Sequence, residues 1–526
     1  MARKARNGER LFRLFIVYLS RYCLDGFTGL FRYCPINNII QLLIMSTITD
    51  LQPKIVWHYF NEICRIPHPS KKEQKMIEYL VNFGRTHHLE TIVDDSGNVL
   101  IRKKAANGME KRASVVLQSH IDMVTEKNSD TVHDFDRDPV IPYIDGGWVK
   151  ARGTTLGADN GIGVAAQLAL LASEDIPHGD IECLFTVEEE TGLTGAKNFQ
   201  SGVLQSKILI NLDSEEDGCF CIGCAGGIDT VATFRYEMQH SPEELFFFTV
   251  RVRGLQGGHS GEDINKERGN AIKILARYLW TINNRFPVYL HKIEGGNLHN
   301  AIPREASAIA AIPYCKKEEA MVLLNVFIHD VEGEIPSEKE LHIDMESESA
   351  LEKVICKADS DRVLSALYAC PHGVIKNSFD IEGLPEVSTN LASVKMKEEN
   401  TIVVATSQRS SVESEKHDIK NQIEALFLLA GAEVTHGDGY PGWKPNVNSN
   451  ITKIVVDSYC RLFHEQPVVR AIHAGLECGL FLEKYPDLDM ISIGPTIIGN
   501  HSPAEKVHIH SVGKFWGHLK DVLSEL

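Results

Sequence analysis

SVVLQSHIDMV, residues 114–124, is an apolar run that ends on a histidine and a carboxylate two residues apart. Its first half, Ser114–Gln118, has the length and β-branched content of a strand buried on both faces. His120 and Asp122 then stand at the carboxyl end of that strand. In an open α/β sheet this end lines the ligand crevice. The same texture recurs: Ile181–Val187 runs into Glu188, Glu189 and Glu190, and Ile208–Leu212 runs into Asp213. Met490–Ile493 leads through Gly494 and Pro495 to Gly499, Asn500 and His501. A fifth segment, Gly157–Gly161, carries Asp159 in the loop before a helix over 162–172. Strands alternating with helices predict an α/β layer with a mostly parallel sheet.

Working outward, helices are expected over 53–65 and 71–86, followed by strands at 89–93 and 99–102. The texture changes near Gly226-Gly227. Beyond it come a strand at 246–252, a glycine-rich turn at 254–261, a helix at 270–284 and a strand at 306–312. Helical stretches at 318–331 and 348–368 and a strand at 401–407 follow. The α/β pattern resumes with a helix at 451–462 and strands at 468–472 and 490–493. The expected organisation is an α/β domain, 45–226 and 431–526, interrupted by an inserted α+β domain at 227–430. Residues 1–44 form an N-terminal extension outside the fold, because Met45-Ser-Thr-Ile-Thr-Asp50 starts a capped helix pattern. The extension carries Arg3, Lys4, Arg6, Arg10, Arg13, Arg21 and Arg32 against only Glu9 and Asp25, so an organellar presequence and a partner-binding helix are the alternatives.

Across 526 residues, 43% apolar and 24% charged content is ordinary for a globular chain. Subtracting 71 Asp and Glu from 54 Lys and Arg leaves −17, which argues against binding to nucleic acid phosphates. Apolar runs are too short for the ~20 residues that span a bilayer, so no membrane partner is expected. Twelve cysteines are too few for a disulfide scaffold, and a reducing, cytoplasmic setting fits them. CFCIGC (219–224) has no second paired knuckle and reads as buried thiols on a strand rather than a zinc site.

The strand-end residues have metal-binding chemistry. Asp122 can accept the second N–H of the His120 imidazole, which fixes the tautomer and raises ligand basicity. Two metals ~3.5–4 Å apart need a bridging carboxylate, for which Asp159 is the natural candidate. His120 with Asp213 completes one metal, and Glu190 with His501 the other. Nitrogen and oxygen donors without thiolate suit zinc, or cobalt or manganese. Glu189 remains unligated and can take a proton from a water bridging the metals, then return it to the leaving amine. Singly, a His-x-Asp or a run of glutamates is usually surface. Repetition at strand ends is what argues otherwise.

These residues sit in longer blocks: LQSHIDMV (117–124), ARGTTLGADNGIG (151–163), EEETGLTGA (188–196), LINLDSEEDG (209–218) and GLQGGHSGEDI (254–264). GGNLHNAIPREA (295–306), GYPGWKPN (439–446), HAGLECGLF (473–481) and SIGPTIIGNHSP (492–503) continue the series. In them the chain, from about Met45 to its end, closely resembles the aminoacyl-histidine dipeptidases, a branch of the di-zinc exopeptidases. The resemblance implies hydrolysis of unblocked dipeptides, including those with histidine second, such as β-alanyl-histidine. It implies His120, Asp159, Glu190, Asp213 and His501 as metal ligands, Asp122 as orienting residue and Glu189 as general base. It further implies an inserted lid that mediates homodimerisation, with His259 polarising the scissile carbonyl. Asn300, Arg304 and Arg409 are implied for the substrate's terminal carboxylate, and His473 and Glu477 as further substrate-facing residues.

Rival readings are weaker. GIGVAA (161–166) imitates a dinucleotide fingerprint, but Asp159 beside it would repel phosphate. GHSGE (258–262) imitates a nucleophile elbow, but Glu262 stands where glycine is needed. A non-catalytic metal-binding assembly protein would have no use for a spare Glu189. A deacylase or broader aminopeptidase using the same metals is separated only by pocket shape.

Overall fold

The computed structural model describes residues 47–526; the N-terminal extension, Met45 and Ser46 lie outside them. Eight strands form the first sheet, in the order Glu90–Val93, Val99–Lys103, Ile181–Thr186, Val115–His120, Ile208–Asn211, Asp489–Ser492, Cys219–Cys224, Val468–Ile472. Val115–His120 runs parallel to both neighbours, and Ile208–Asn211 runs parallel to Asp489–Ser492. The first two strands are antiparallel additions, because the short link between Val93 and Val99 allows a hairpin but not the crossover that parallel pairing needs. Asp489–Ser492 also meets Cys219–Cys224 antiparallel. Four of the seven pairings are parallel, so the sheet is mostly parallel, with two antiparallel strands added at one edge and one antiparallel contact inside.

Both faces are covered. Val115 and Leu117 point into one core and Val116 into another, the alternation expected of a strand buried on both sides. Helix Ala158–Ala172, buried from Ala158 to Leu171, fills the first core and packs on helix Lys54–Ile63.

The second sheet is antiparallel: His342–Ser347, Leu245–Arg253, Ala306–Pro313, Tyr289–Gly295, Pro385–Lys397, Thr401–Ser410, Gly226–Arg235, Glu433–His436, with Gly373–Asn377 paired on Pro385–Lys397. Helices Ala271–Asn283, Lys317–Glu334, Lys357–Ala369 and Glu413–Leu429 contribute to its own apolar core. The return to the first sheet comes later than residue 430, because Glu433–His436 pairs with Gly226–Arg235. The two crossings between sheets lie side by side, with Cys224 bridged to Trp443 and Gly227 to Tyr440.

Some local expectations shift. The second helix begins at Gln74 rather than 71, since Lys71 is left-handed at φ 69°. The stretch 348–368 is not one helix: strand Lys353–Ile355 precedes helix Lys357–Ala369. Pro385–Lys397, a long central strand, has no counterpart in the sequence reading.

Candidate metal centre and active site

Adjacent strands bring their carboxyl ends together. His120 closes Val115–His120, Asp213 follows Ile208–Asn211, and Glu189 and Glu190 open a short helix just after Ile181–Thr186. Asp159 comes from the start of helix Ala158–Ala172, and His501 from the loop after strand Ile497–Ile498. Glu188 and His501 are left-handed at φ 53° and 58°, a conformation that costs a non-glycine residue ~1–3 kcal/mol. At Glu188, Asp122 offsets part of that cost. Its carboxylate accepts the backbone N–H of Glu189 at 3.0 Å and of Glu190 at 3.2 Å, and the Ser70 hydroxyl at 2.7 Å. The same carboxylate lies 3.3 Å from Nδ1 of His120. Asp122 therefore orients the imidazole and the glutamate turn together.

Nε2 of His120 lies 3.2 Å from Oδ1 of Asp159 and 3.4 Å from Oδ1 of Asp213. Nε2 of His501 lies 3.4 Å from Oδ2 of Asp159 and 3.0 Å from Oε2 of Glu190. Ligand atoms of His120, Asp159 and Glu190 all fall within 4.8 Å of one another. Asp159 thus faces one histidine–carboxylate group with each oxygen. Asn160 holds Asp213 from the side by a hydrogen bond from its amide.

The electrostatics fit a cation site. Burial, then the neighbouring Asp213, Glu190 and Glu477, raise Glu189 well above the usual carboxylate range. Burial and Asp159 raise Glu190 and Asp213, and push Glu215 up to about 9. Carboxylates crowded out of water repel unless positive charge joins them, and the donor set of two imidazoles and three carboxylates suits hard or borderline divalent ions. Cys219 and Cys221 line the same cavity wall, but burial pushes the Cys219 thiol up to about 11 and raises Cys221. They remain protonated thiols.

The cavity holds about 420 Å³ and is lined by His120, Asp159, Glu189, Glu190, Asp213 and His501, with His259 and Asn300 reaching in from the second sheet's side. Nδ1 of His259 accepts the backbone N–H of Gly261 at 3.3 Å and of Glu262 at 3.1 Å. Burial and the nearby Arg409 lower His259 to about 4, so the ring is neutral and its proton sits on Nε2. Arg409 is 6% exposed, its Nε has no partner, and its guanidinium donates to the Tyr440 hydroxyl at 2.9 Å and to Ser260 at 3.5 Å. A buried guanidinium held by hydroxyls rather than a carboxylate is suited to an incoming anion. His473 is buried at 2.7 Å from the Ser388 hydroxyl, and burial and Arg409 lower it to about 3.

Of the five substrate-binding candidates only Asn300 lines this cavity; Arg409 does not, His473 lines an adjoining groove with Gly261, Glu262 and Arg470, and Arg304 and Glu477 fall elsewhere. Arg304 lines a separate groove with Arg251, Arg253 and Lys395, and its Nε donates to the Leu255 carbonyl at 2.9 Å. Glu477 lies behind the cavity, where it accepts from Gln118 at 2.5 Å and Thr186 at 2.6 Å and ties two strand ends. Sequence reasoning missed Tyr440, Asn500 and Glu505. Asn500 donates to Glu215 at 2.8 Å, and the four hydrogen bonds of Glu505 reach residues 156–159. Tyr440 and Asn500 lie inside the blocks at 439–446 and 492–503, and Glu505 two residues beyond the second, which was their only local signal.

Residues 116–524 match the model of peptidase family M20/M25/M40. The chain is 44% identical over 483 residues to the cytosol non-specific dipeptidase of Escherichia coli, covering 92% of this chain and 99% of that one. The crystal structure of aminoacylhistidine dipeptidase from Vibrio alginolyticus superimposes with a TM-score of 0.85 at 43% identity, covering 91% of this chain and 98% of that one. A tripeptidase from Staphylococcus aureus shares the fold at a TM-score of 0.52 and 17% identity, covering 90% of this chain and 98% of that one.

Proposed function

This chain belongs to peptidase family M20/M25/M40, and from that premise we propose that it is a metal-dependent dipeptidase acting on unblocked dipeptides, those with histidine second among them. The observation that carries the reading is the division of Asp159 between His120 with Asp213 and His501 with Glu190, beside a Glu189 that belongs to neither group. His120, Asp213, Asp159, Glu190 and His501 would hold two divalent ions, with zinc best suited and cobalt or manganese tolerated. When bound, the ions supply Lewis acidity toward a carbonyl and lower the pKa of water toward neutrality.

The chain's own groups do the rest. Glu189, disposed by burial to hold a proton, takes one from the attacking water and gives it to the departing amine. The Nε2–H of His259 donates to the scissile carbonyl oxygen as negative charge develops there. Arg409 receives the terminal carboxylate, with Asn300 on the cavity wall, while His473, neutral and buried against Ser388, lines the adjoining groove. Asp122 keeps His120 and the Glu189 backbone in register.

A cytoplasmic setting agrees with the name of the Escherichia coli relative and with ten described cysteines that are all free. No helix of the described residues is long and apolar enough to cross a membrane. A homodimer through the second sheet is supported by its edge strand His342–Ser347 and by Met321, Val322 and Val326 exposed on helix Lys317–Glu334.

The test is a panel of unblocked dipeptides, including alanyl-histidine and β-alanyl-histidine, beside N-acetylated amino acids, with and without chelator. Hydrolysis of the dipeptides that stops on chelation and returns with zinc is expected. Preference for the acetylated substrates, or indifference to chelator, would overturn the reading.

A further inference from the structure

Glu505 is a carboxylate 3% exposed, and its hydrogen bonds go to four consecutive main-chain N–H groups. One oxygen accepts from Leu156 at 2.7 Å and Gly157 at 3.1 Å, and the other from Ala158 at 2.7 Å and Asp159 at 3.4 Å. This is more than an ordinary helix cap. Gly157 is left-handed at φ 71°, and Asp159 has ψ 108°, so the segment is not a helical turn. Its N–H groups all point at one acceptor because the chain curls around it, a concave anion-holding backbone. Asp159 is the last residue of that curl. His501 lies four residues before Glu505, so one side chain ties the segment of Asp159 to the loop of His501.

Resting on the reading that Asp159 and His501 are metal ligands, we propose that Glu505 is a positioning residue for the metal centre. It fixes the backbone of 156–159 so that Asp159 presents one oxygen to each ligand group, and it holds that backbone against the His501 loop. Each oxygen of Glu505 receives two N–H groups, so an amide at this position turns its NH₂ toward two donors in either orientation. A glutamine therefore removes half of the clamp while keeping the volume. An aspartate keeps the charge but is one methylene too short to reach all four donors.

The experiment compares wild type, Glu505→Gln and Glu505→Asp, measuring zinc affinity by competition with a chromogenic chelator. The melting temperature of each protein is also recorded metal-free and zinc-loaded. Outer partners of ligands typically contribute 10–100-fold to metal affinity, and that loss is expected for Glu505→Gln, with a smaller zinc-induced rise in melting temperature. Glu505→Asp is expected to lose at least about threefold, which decides the matter if the glutamine variant does not fold. A variant that is destabilised metal-free yet binds zinc as tightly as wild type overturns the inference and leaves a purely structural role. A wild-type chain that takes up no zinc, cobalt or manganese instead overturns the ligand reading, and the inference with it.

Discussion

Asp159 stands between two histidines, with Oδ1 at 3.2 Å from Nε2 of His120 and Oδ2 at 3.4 Å from Nε2 of His501. On the proposed ligand set, a shared Asp159 would make the two ions interdependent. Asp159→Ala is therefore expected to lose both ions, while Asp213→Ala and His501→Ala each lose one at the same zinc activity. Metal content of the purified, folded variants checks this; retention of one ion by Asp159→Ala would contradict the bridging role.

Arg409 is held from the other side of the interdomain crossing by the Tyr440 hydroxyl. A charge-assisted hydrogen bond contributes ~1.5–3 kcal/mol. Arg409→Ala is expected to raise KM for a dipeptide by at least about tenfold with a smaller change in kcat. Tyr440→Phe should raise KM less, and adding it to Arg409→Ala should change little further, because both act through one guanidinium. Steady-state kinetics on the two single variants and the double variant measures that coupling.

Gly227 and Gly475 leave room for the phenol of Tyr440. A Cβ at Gly227 would lie 2.7 Å from the Tyr440 hydroxyl, and one at Gly475 would lie 2.8 Å from the ring. Gly475→Ala is expected to cost ~1–3 kcal/mol of stability by overpacking and to raise KM as Tyr440→Phe does. Denaturant unfolding beside kinetics reports both effects.

Burial, with Lys273 adding to it, lowers His372 to about 4, and its Nδ1 stands 3.3 Å from the Asn270 amide. The unfolded chain takes up a proton near pH 6.5, the folded one only near 4, so protons favour unfolding in between. This contribution to stability is full above pH ~6.5 and is lost as pH falls toward ~4. His372→Asn should flatten the fall in stability between pH 7 and 4 relative to wild type, read from urea unfolding across that range.

Five candidate ligands were legible because each follows a short apolar strand in its own segment or opens a helix, and strand ends in such a sheet converge. What was not legible depends on distant contacts. Glu505 meets residues 156–159 across almost 350 positions of chain, and nothing local separates it from a surface glutamate before a strand. Arg304 sits in a conspicuous block, yet its guanidinium turns to the Leu255 carbonyl and a separate groove. The long strand Pro385–Lys397 carries Ser388, Thr389 and Asn390 buried at its centre. Polar residues buried to serve a site break the apolar pattern by which a strand is read.

In the proposed mechanism Glu189 moves the proton in hydrolysis without holding metal. This role is tested by the turnover of Glu189→Gln on alanyl-histidine, measured on protein whose metal content is determined in the same sample. Wild-type metal content with kcat lower by ~10²–10⁴-fold is expected. Wild-type turnover at that metal content would contradict it.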